Sequence, residues 1–343
     1  MKKITITVSA MILLFLMSCQ NQQGQKEQKF SETKKLSDYE NTEFLPTLEH
    51  QINAQKNSVY CVTLLYAWEK IRKQINRPLI IAEENDDLLL LNNSESFVNV
   101  LKSNEYSANG TINGNLITAR AEFNKSLPFE TALNCSDDKM IFKEKIVPSF
   151  GINYQSTDEQ LKNVKIIYYK NDDNFIIKLL PKDKKHEIIL FKTDKVFHSM
   201  AEMNEEILKL TEIGKNERKN DNLQWKYRIS PDEDKVAIPK INFNIETNYA
   251  TLEGNTFKTT DQNYAIETAW QRTAFLLDES GAKIESIAEI IAILSISVEE
   301  EEEKPHPKEM IFDKDFLILL KRTDSQNPYF GLWVVNTELM IEK

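Results

Sequence analysis

The chain has 343 residues, a formal net charge of −10 and 41% apolar residues, enough for a sizeable core. The acidic balance argues against nucleic acid as a partner, because phosphate binding needs a basic face. Only 8 glycines and no internal repeat argue against a glycine-rich barrel or a solenoid.

Residues 1–19 read as an address. Lys2 and Lys3 give a basic start, Ile4 to Met17 a short apolar run, and Leu16-Met17-Ser18-Cys19 has the form of a lipobox. The run is short for a bilayer span, which favours a signal peptide cut before Cys19, the residue then acylated. The bland alternative is an ordinary cleaved signal with an incidental Cys19. A lipidated Cys19 would anchor the chain to a membrane in the cell envelope, on the periplasmic or outer-surface face. Residues 20–37 are polar and rich in Gln and Lys, as a flexible tether is, leaving 38–343 for a single domain.

Beyond Cys19 there are only Cys61 and Cys135. An exported chain could pair them, but Cys61 sits in an apolar run and reads as a small core residue. His50, His186, His198 and His306 show no metal-ligand spacing, and His306, between Pro305 and Pro307, is expected to be exposed. No nucleophile elbow, phosphate loop or paired-cysteine zinc motif occurs. No catalytic residue, metal or cofactor is therefore predicted, and the chain is not expected to be an enzyme.

In chain order, Val59 to Ile75 begins as a buried strand and becomes a helix with Leu64, Leu65, Trp68 and Ile71 on one face, stopped by Pro78. Leu79 to Leu91 alternates apolar and acidic runs, and Ser94 to Leu101 suits a short helix. Turn signals at Asn109-Gly110 and Asn113-Gly114 precede a strand, Leu116 to Phe123. Strands follow at Ile146–Tyr154 and in a hairpin, Val164–Tyr169 and Phe175–Leu180, around Asn171-Asp172-Asp173. Val196 to Ile213 is a helix carrying Met200, Met203, Ile207, Leu210 and Ile213 on one stripe, with Gly214 past its end. Val236 to Ile245 reads as one half-buried strand, Ala269 to Leu277 as a buried one, and Ile311–Lys321 and Tyr329–Asn336 as the last two. Many strands and few helices make this an α+β protein with large mixed or antiparallel sheets.

The order of these pieces resembles the serpin family, as a shortened and divergent bacterial member. Phe123-Asn124-Lys125 through Pro128-Phe129 is similar to the family's Phe-Lys-Gly segment leading to Pro-Phe. Val164 to Pro181 resembles its strand–turn–strand ending in Leu-Pro, and Ile238-Pro239-Lys240-Ile241 its Leu-Pro-Lys-Phe strand. Asp278-Glu279-Ser280-Gly281 resembles the Glu-x-Gly hinge that opens the reactive loop. Phe312 to Phe316 and Pro328 to Asn336 resemble the last two strands. The departures are specific. The chain between Trp68 and Leu116 is much shorter than the family's, and the tryptophan expected after Phe-Lys-Gly is missing, with Leu127 nearby. Cys61-Val62-Thr63-Leu64 stands for Ser-Pro-x-Ser, and Gln271 for a histidine, at positions that by resemblance belong to the machinery that lets the main sheet open.

The resemblance implies a serpin-like domain over 38–343 with an exposed reactive-loop equivalent at 282–311. It implies a serine-type or cysteine protease inhibitor, working by loop cleavage and strand insertion. The alternative is a non-inhibitory binding lipoprotein that keeps the fold, its partner being another protein; a third reading leaves the loop merely disordered. Insertion demands a small or apolar residue at every second position, because a strand in mid-sheet buries one face. Ala282, Ile284, Ser286, Ala288, Ile290, Ala292 and Leu294 meet that demand, although the same stretch also fits a helix. The hinge residues are thus Glu279, Gly281, Ala282 and Ile284, and the scissile region Ile293, Leu294, Ser295 and Ile296. That region holds no Lys or Arg, so the protease implied has an apolar or small specificity pocket. Glu299 to Glu303 suits a solvated loop face or an acidic bait for a basic partner; five adjacent carboxylates without a turn-forming Gly do not make a calcium site.

Overall fold

The structure, a computed structural model, describes residues 29–113, 116–288 and 306–341. The chain enters along a sheet edge as β1 (Lys34–Lys35), turns through a short 3-10 helix at Leu36–Asp38 and reaches β2 (Thr42–Leu45). The end of the expected tether is therefore part of the fold, since β1 pairs with a later strand. β3 (Asn57–Cys61) is buried throughout and runs into α1 (Thr63–Ile75), as the pattern predicts. α1 buries Leu64, Leu65, Trp68 and Ile71, and ends at Asn76, whose left-handed φ of 50° directs its N–H to the Arg72 carbonyl at 2.8 Å.

β4 (Ile80–Ile81) and α2 (Asp86–Asn93) follow. The helix expected at 94–101 lies earlier, as α2: Leu88 and Leu91 supply its buried face, and Asp86 and Asp87 suit the positive end of its dipole. Next come two hairpins, β5 (Ser107–Asn113) with β6 (Leu116–Pro128), and β7 (Asn134–Phe142) with β8 (Lys145–Ile152). After the one-turn α3 (Asp158–Leu161), the predicted hairpin forms as β9 (Val164–Asn171) and β10 (Asn174–Leu179). β11 (His186–Lys192) extends it, buried at every position.

α4 (Met200–Glu217) packs Met203, Ile207 and Leu210 inward but runs past Gly214, the expected stop. Gly214 is a close-approach residue: a Cβ there would lie 2.1 Å from the Ile167 carbonyl oxygen of β9. The single strand expected over 236–245 breaks at Lys240 into β12 (Lys235–Pro239) and β13 (Ile241–Asn248), which belong to different sheets. β14 (Thr256–Lys258), β15 (Asn263–Ala265), β16 (Trp270–Asp278), β17 (Gly281–Ala288), β18 (Glu309–Ile311), β19 (Phe316–Arg322) and β20 (Phe330–Val334) complete the order.

Among the described residues four sheets result: β1-β13-β16-β17-β6-β5, β2-β3-β20-β19-β11-β10-β9, β18-β12-β8-β7 and β15-β14-β4. This is the predicted α+β class, with large mixed sheets and few helices. The first two sheets pack face to face, with the Phe275 and Phe330 rings 4.6 Å apart and those of Phe123 and Tyr329 5.6 Å apart. Residues 282–311, expected to form one long exposed loop, do not: 282–288 are strand, and 309–311 pair with β12. His306, expected exposed, is half-buried beside Tyr169 and Trp225, with ring centroids 6.0 Å from each. Cys19 and Ile293 to Ile296 lie outside the described residues.

Candidate functional site: the hinge strand and the joint beneath it

β17 occupies the middle of the six-stranded sheet, antiparallel to β16 on one side and β6 on the other. A two-residue turn, Glu279-Ser280, delivers it there. The Asp278 carboxylate accepts from the Ser280 N–H at 2.8 Å and from its hydroxyl at 2.6 Å. The turn's carbonyls are used too: Phe129 N–H donates to Ser280 O at 2.9 Å and Leu133 N–H to Glu279 O at 2.8 Å. The Glu279 carboxylate lies 2.5 Å from Lys240 Nζ. Burial works to raise the Glu279 pKa, but the Lys240 ammonium holds it below the ordinary range. Cys135 Sγ sits 3.4 Å from the same ammonium, and both Cys135 and Cys61 are free thiols.

Gly281 is required at the start of β17 for two reasons. Its φ is +136°, and a Cβ would lie 2.4 Å from the Leu127 carbonyl oxygen and 2.7 Å from Pro128 Cα. Gly281→Ala is expected to destabilise by about 2–3 kcal/mol, with the loss read in urea denaturation. A change under about 0.5 kcal/mol would mean that β17 does not make this approach.

From Gly281 onward the side chains alternate as a strand in mid-sheet demands. Ala282, Ile284 and Ser286 are buried to 1% exposure or less, while Lys283, Glu285 and Ile287 face outward, half-buried. The strand alternative for this stretch is therefore realised, and the helical one is not, as far as 288. On the outer face, Glu285 meets Arg272 of β16 at 2.5 Å.

Beneath β17 the sequence-marked residues converge. Ser286 Oγ lies 3.0 Å from Thr63 Oγ1, 2.9 Å from Thr273 Oγ1 and 3.3 Å from Gln271 Nε2. The Gln271 amide also donates to Thr63 Oγ1 at 3.1 Å and to the Cys61 carbonyl at 3.4 Å, and its oxygen accepts from the Tyr249 hydroxyl. Burial pushes the Cys61 thiol up to about 11 and the Tyr249 phenol well above its usual value, so neither ionises near neutral pH. The joint is a buried, neutral hydrogen-bond network linking β3, the start of α1, β16 and β17. Cys61, Thr63 and Gln271 were legible; Tyr249 was not, because it lies in a segment without periodicity.

A second cluster, unmarked in the sequence, secures β6. Glu105 accepts from Lys125 at 2.6 Å, Arg322 at 2.7 Å and His186 at 3.0 Å, tying β6 to β19 and β11. Burial tends to raise the Glu105 pKa, but Lys125 foremost, with Arg322, brings it down to about 2. Among the described residues no group of three or more His, Cys, Asp or Glu is placed to hold a metal, and no helix is long and apolar enough to cross a membrane.

No family model and no curated protein matches the chain. Among solved structures it is similar to a loop-inserted structure of a cleaved ovalbumin mutant, at 13% identity over 80% of this chain and 65% of that one, with a TM-score of 0.40. It is also similar to cleaved Serpin 42Da, at 11% identity, 66% and 57% coverage and a TM-score of 0.38. A third is thyroxine-binding globulin in complex with thyroxine, at 12% identity, 64% and 56% coverage and a TM-score of 0.35. The match spans 56–65% of the length of these three proteins, less than two thirds of each. These three structures are serpins, the family that the chain's motif order resembles.

Proposed function

We propose that the chain is a serpin-like envelope lipoprotein, anchored through Cys19, that presents residues 289–305 to a protease and acts by loop cleavage and strand insertion, with β17 as the strand exchanged between the six-stranded sheet and the loop. The observation that carries this reading is the slot itself. β16 and β6 line it with Phe275, Leu277, Phe123 and Leu127, whereas from Gly281 to Ile287 β17 contributes the side chains of Ala282, Ile284 and Ser286 to the buried face. Such a strand buries little apolar area, so its departure costs the core far less than loss of β16 would. The joint beneath also survives it, since Gln271 keeps Thr63, Cys61 and Tyr249 as partners when Ser286 is gone. These are properties of an exchangeable strand. The inhibitory form of the reading is a covalent trap closed by insertion, directed at a serine-type or cysteine protease with an apolar or small pocket.

A second reading has its own support. In this uncut chain β17 is already paired from Gly281 to Ala288. The chain from Ala288 to His306 can reach on the order of 60 Å when extended, against about 25 Å for β17, so insertion through 288 needs no cleavage. A strand at rest in the sheet leaves little to insert afterwards, which favours a non-inhibitory interaction protein.

Incubation with elastase-like and subtilisin-like proteases separates the two. Inhibition gives an SDS-stable complex, and nicking within 291–298 then raises the melting temperature above that of the uncut chain. The non-inhibitory form is nicked in the same window with neither complex nor stabilisation. Trypsin should spare those bonds, because its buried carboxylate would be left unpaired by Leu, Ser or Ile. A dominant early cut after Lys304, with 291–298 resistant to elastase, would defeat both readings of the segment as a bait.

A further inference from the structure

We propose that residues 29–35 form a strap that holds β17 in the sheet, so that docking of the N-terminal segment and insertion of the hinge strand are thermodynamically coupled. The inference goes beyond the proposed function and needs no protease, because it rests on the position of β17 alone.

The strap begins at the sheet edge. β1 pairs in parallel with β13, Lys34 opposite Ile245 and Lys35 opposite Glu246. Upstream, the side chains of β13 hold the segment. Ser31 N–H donates to Asn242 Oδ1 at 2.9 Å, and the Asn242 amide donates to the Lys29 carbonyl at 3.2 Å. The Asn244 amide donates to the Ser31 carbonyl at 3.0 Å and to Thr33 Oγ1 at 2.9 Å. Ile241, Phe243 and Ile245 take the core side of β13, so Asn242 and Asn244 lie on the outer face, where an asparagine is ordinarily wet. Asn244 is nonetheless only 5% exposed, in a place where the strap supplies two of its partners.

From there two separate links reach β17, three strands in from the strap. The first is polar. Arg272 Nε donates to Asn244 Oδ1 at 2.8 Å, and Arg272 Nη1 donates to Glu285 Oε1 at 2.5 Å. One guanidinium therefore bridges the asparagine that grips the strap and the carboxylate of the hinge strand, and its planar fork fixes both at once. The second link is direct: Lys283 Nζ stands 4.9 Å from the centroid of the Phe30 ring, within cation–π range. Lys283 and Glu285 are the first two charged outward residues of β17; the strap meets Lys283 directly and Glu285 through Asn244 and Arg272.

If β17 leaves, Phe30 loses its cation and Arg272 its carboxylate. If the strap leaves, Asn244 loses two partners and Lys283 loses the aromatic face. By linkage each event shifts the other by the same factor. Anything that captures residues 29–35 thereby favours departure of β17, without touching the hinge.

The test is hydrogen–deuterium exchange of the full chain, read peptide by peptide. In a Phe30→Ala/Ser31→Pro variant, which removes the ring and the N–H given to Asn242, amides of 281–288 should exchange roughly ten-fold faster. β11 and β19 should be unchanged. In a Lys283→Ala variant, exchange across 30–35 should rise by several-fold, with β11 and β19 again unchanged. Unchanged exchange at 281–288 in the first variant, or at 30–35 in the second, overturns the coupling. Equal acceleration across β11 and β19 overturns it too, because that reports a general loss of stability.

Discussion

Ala282→Arg should expel β17 from the sheet. Ala282 is fully buried, with Leu277 of β16 and Leu127 of β6 as its cross-strand partners. Placing a guanidinium there without a carboxylate costs on the order of 4–5 kcal/mol or more. That exceeds what Ile284 contributes by burial, about 2–3 kcal/mol, so the strand leaves while the rest of the fold remains. The expected result is a melting temperature below the wild type's and rapid cutting within 281–288 by a broad-specificity protease. Wild-type melting and wild-type resistance in this variant would rule out an inserted strand beginning at Gly281.

Gln271→Leu should be the most damaging single change in the joint. Leucine fills nearly the same space but neither accepts from Tyr249 nor donates to Thr63 and Ser286. The Tyr249 hydroxyl is then left buried without its acceptor, at about 1–3 kcal/mol for each orphaned group, so a total of about 3–4 kcal/mol is expected. Gln271→His, the residue that the resemblance places here, should lose less, since an imidazole can still donate and accept. Urea denaturation supplies both values, and a double-mutant cycle with Ser286→Ala isolates the share that depends on β17. Additive single effects in that cycle would show that Ser286 is not coupled to the joint.

These two positions also show how far the sequence could be read. Ala282 and its alternation are visible because a central strand must bury one face, and that demand is written residue by residue with period two. What periodicity could not decide was whether the stretch forms a strand at all, since Ile284, Ile287 and Leu294 suit a helix equally. Partners settled it: β16 and β6 present two free edges of matching register. Gln271 and Thr63 stood out only through resemblance, and nothing local tied them to Tyr249 or Ser286, which long-range packing brings together.

The misreadings have physical causes of the same kind. Gly214 looks like a helix stop, but glycine serves equally where a helix must sit on a strand, as here against Ile167. The break at Lys240 leaves no mark in the hydrophobic pattern, because buried apolar residues continue on both sides of it, Ile238 before and Ile241 after, in strands that join different sheets. β11 carries the apolar run Ile188-Ile189-Leu190-Phe191, and the polar residues at its ends disguise how far the buried strand extends. His186, Glu187 and Lys192 are buried there, paired with Glu105, Lys178 and Asp313 respectively, and those pairings are invisible in a linear sequence.

In the intact chain, residues 281–288 form a central strand rather than an exposed loop. Amide exchange of the uncut wild-type protein at neutral pH tests it most directly. The structure predicts protection across 281–288 comparable to that of β16 and β6, with both rows of its backbone groups bonded. Exchange as fast as that of an unstructured peptide across 281–288, with β16 and β6 still protected, would contradict it.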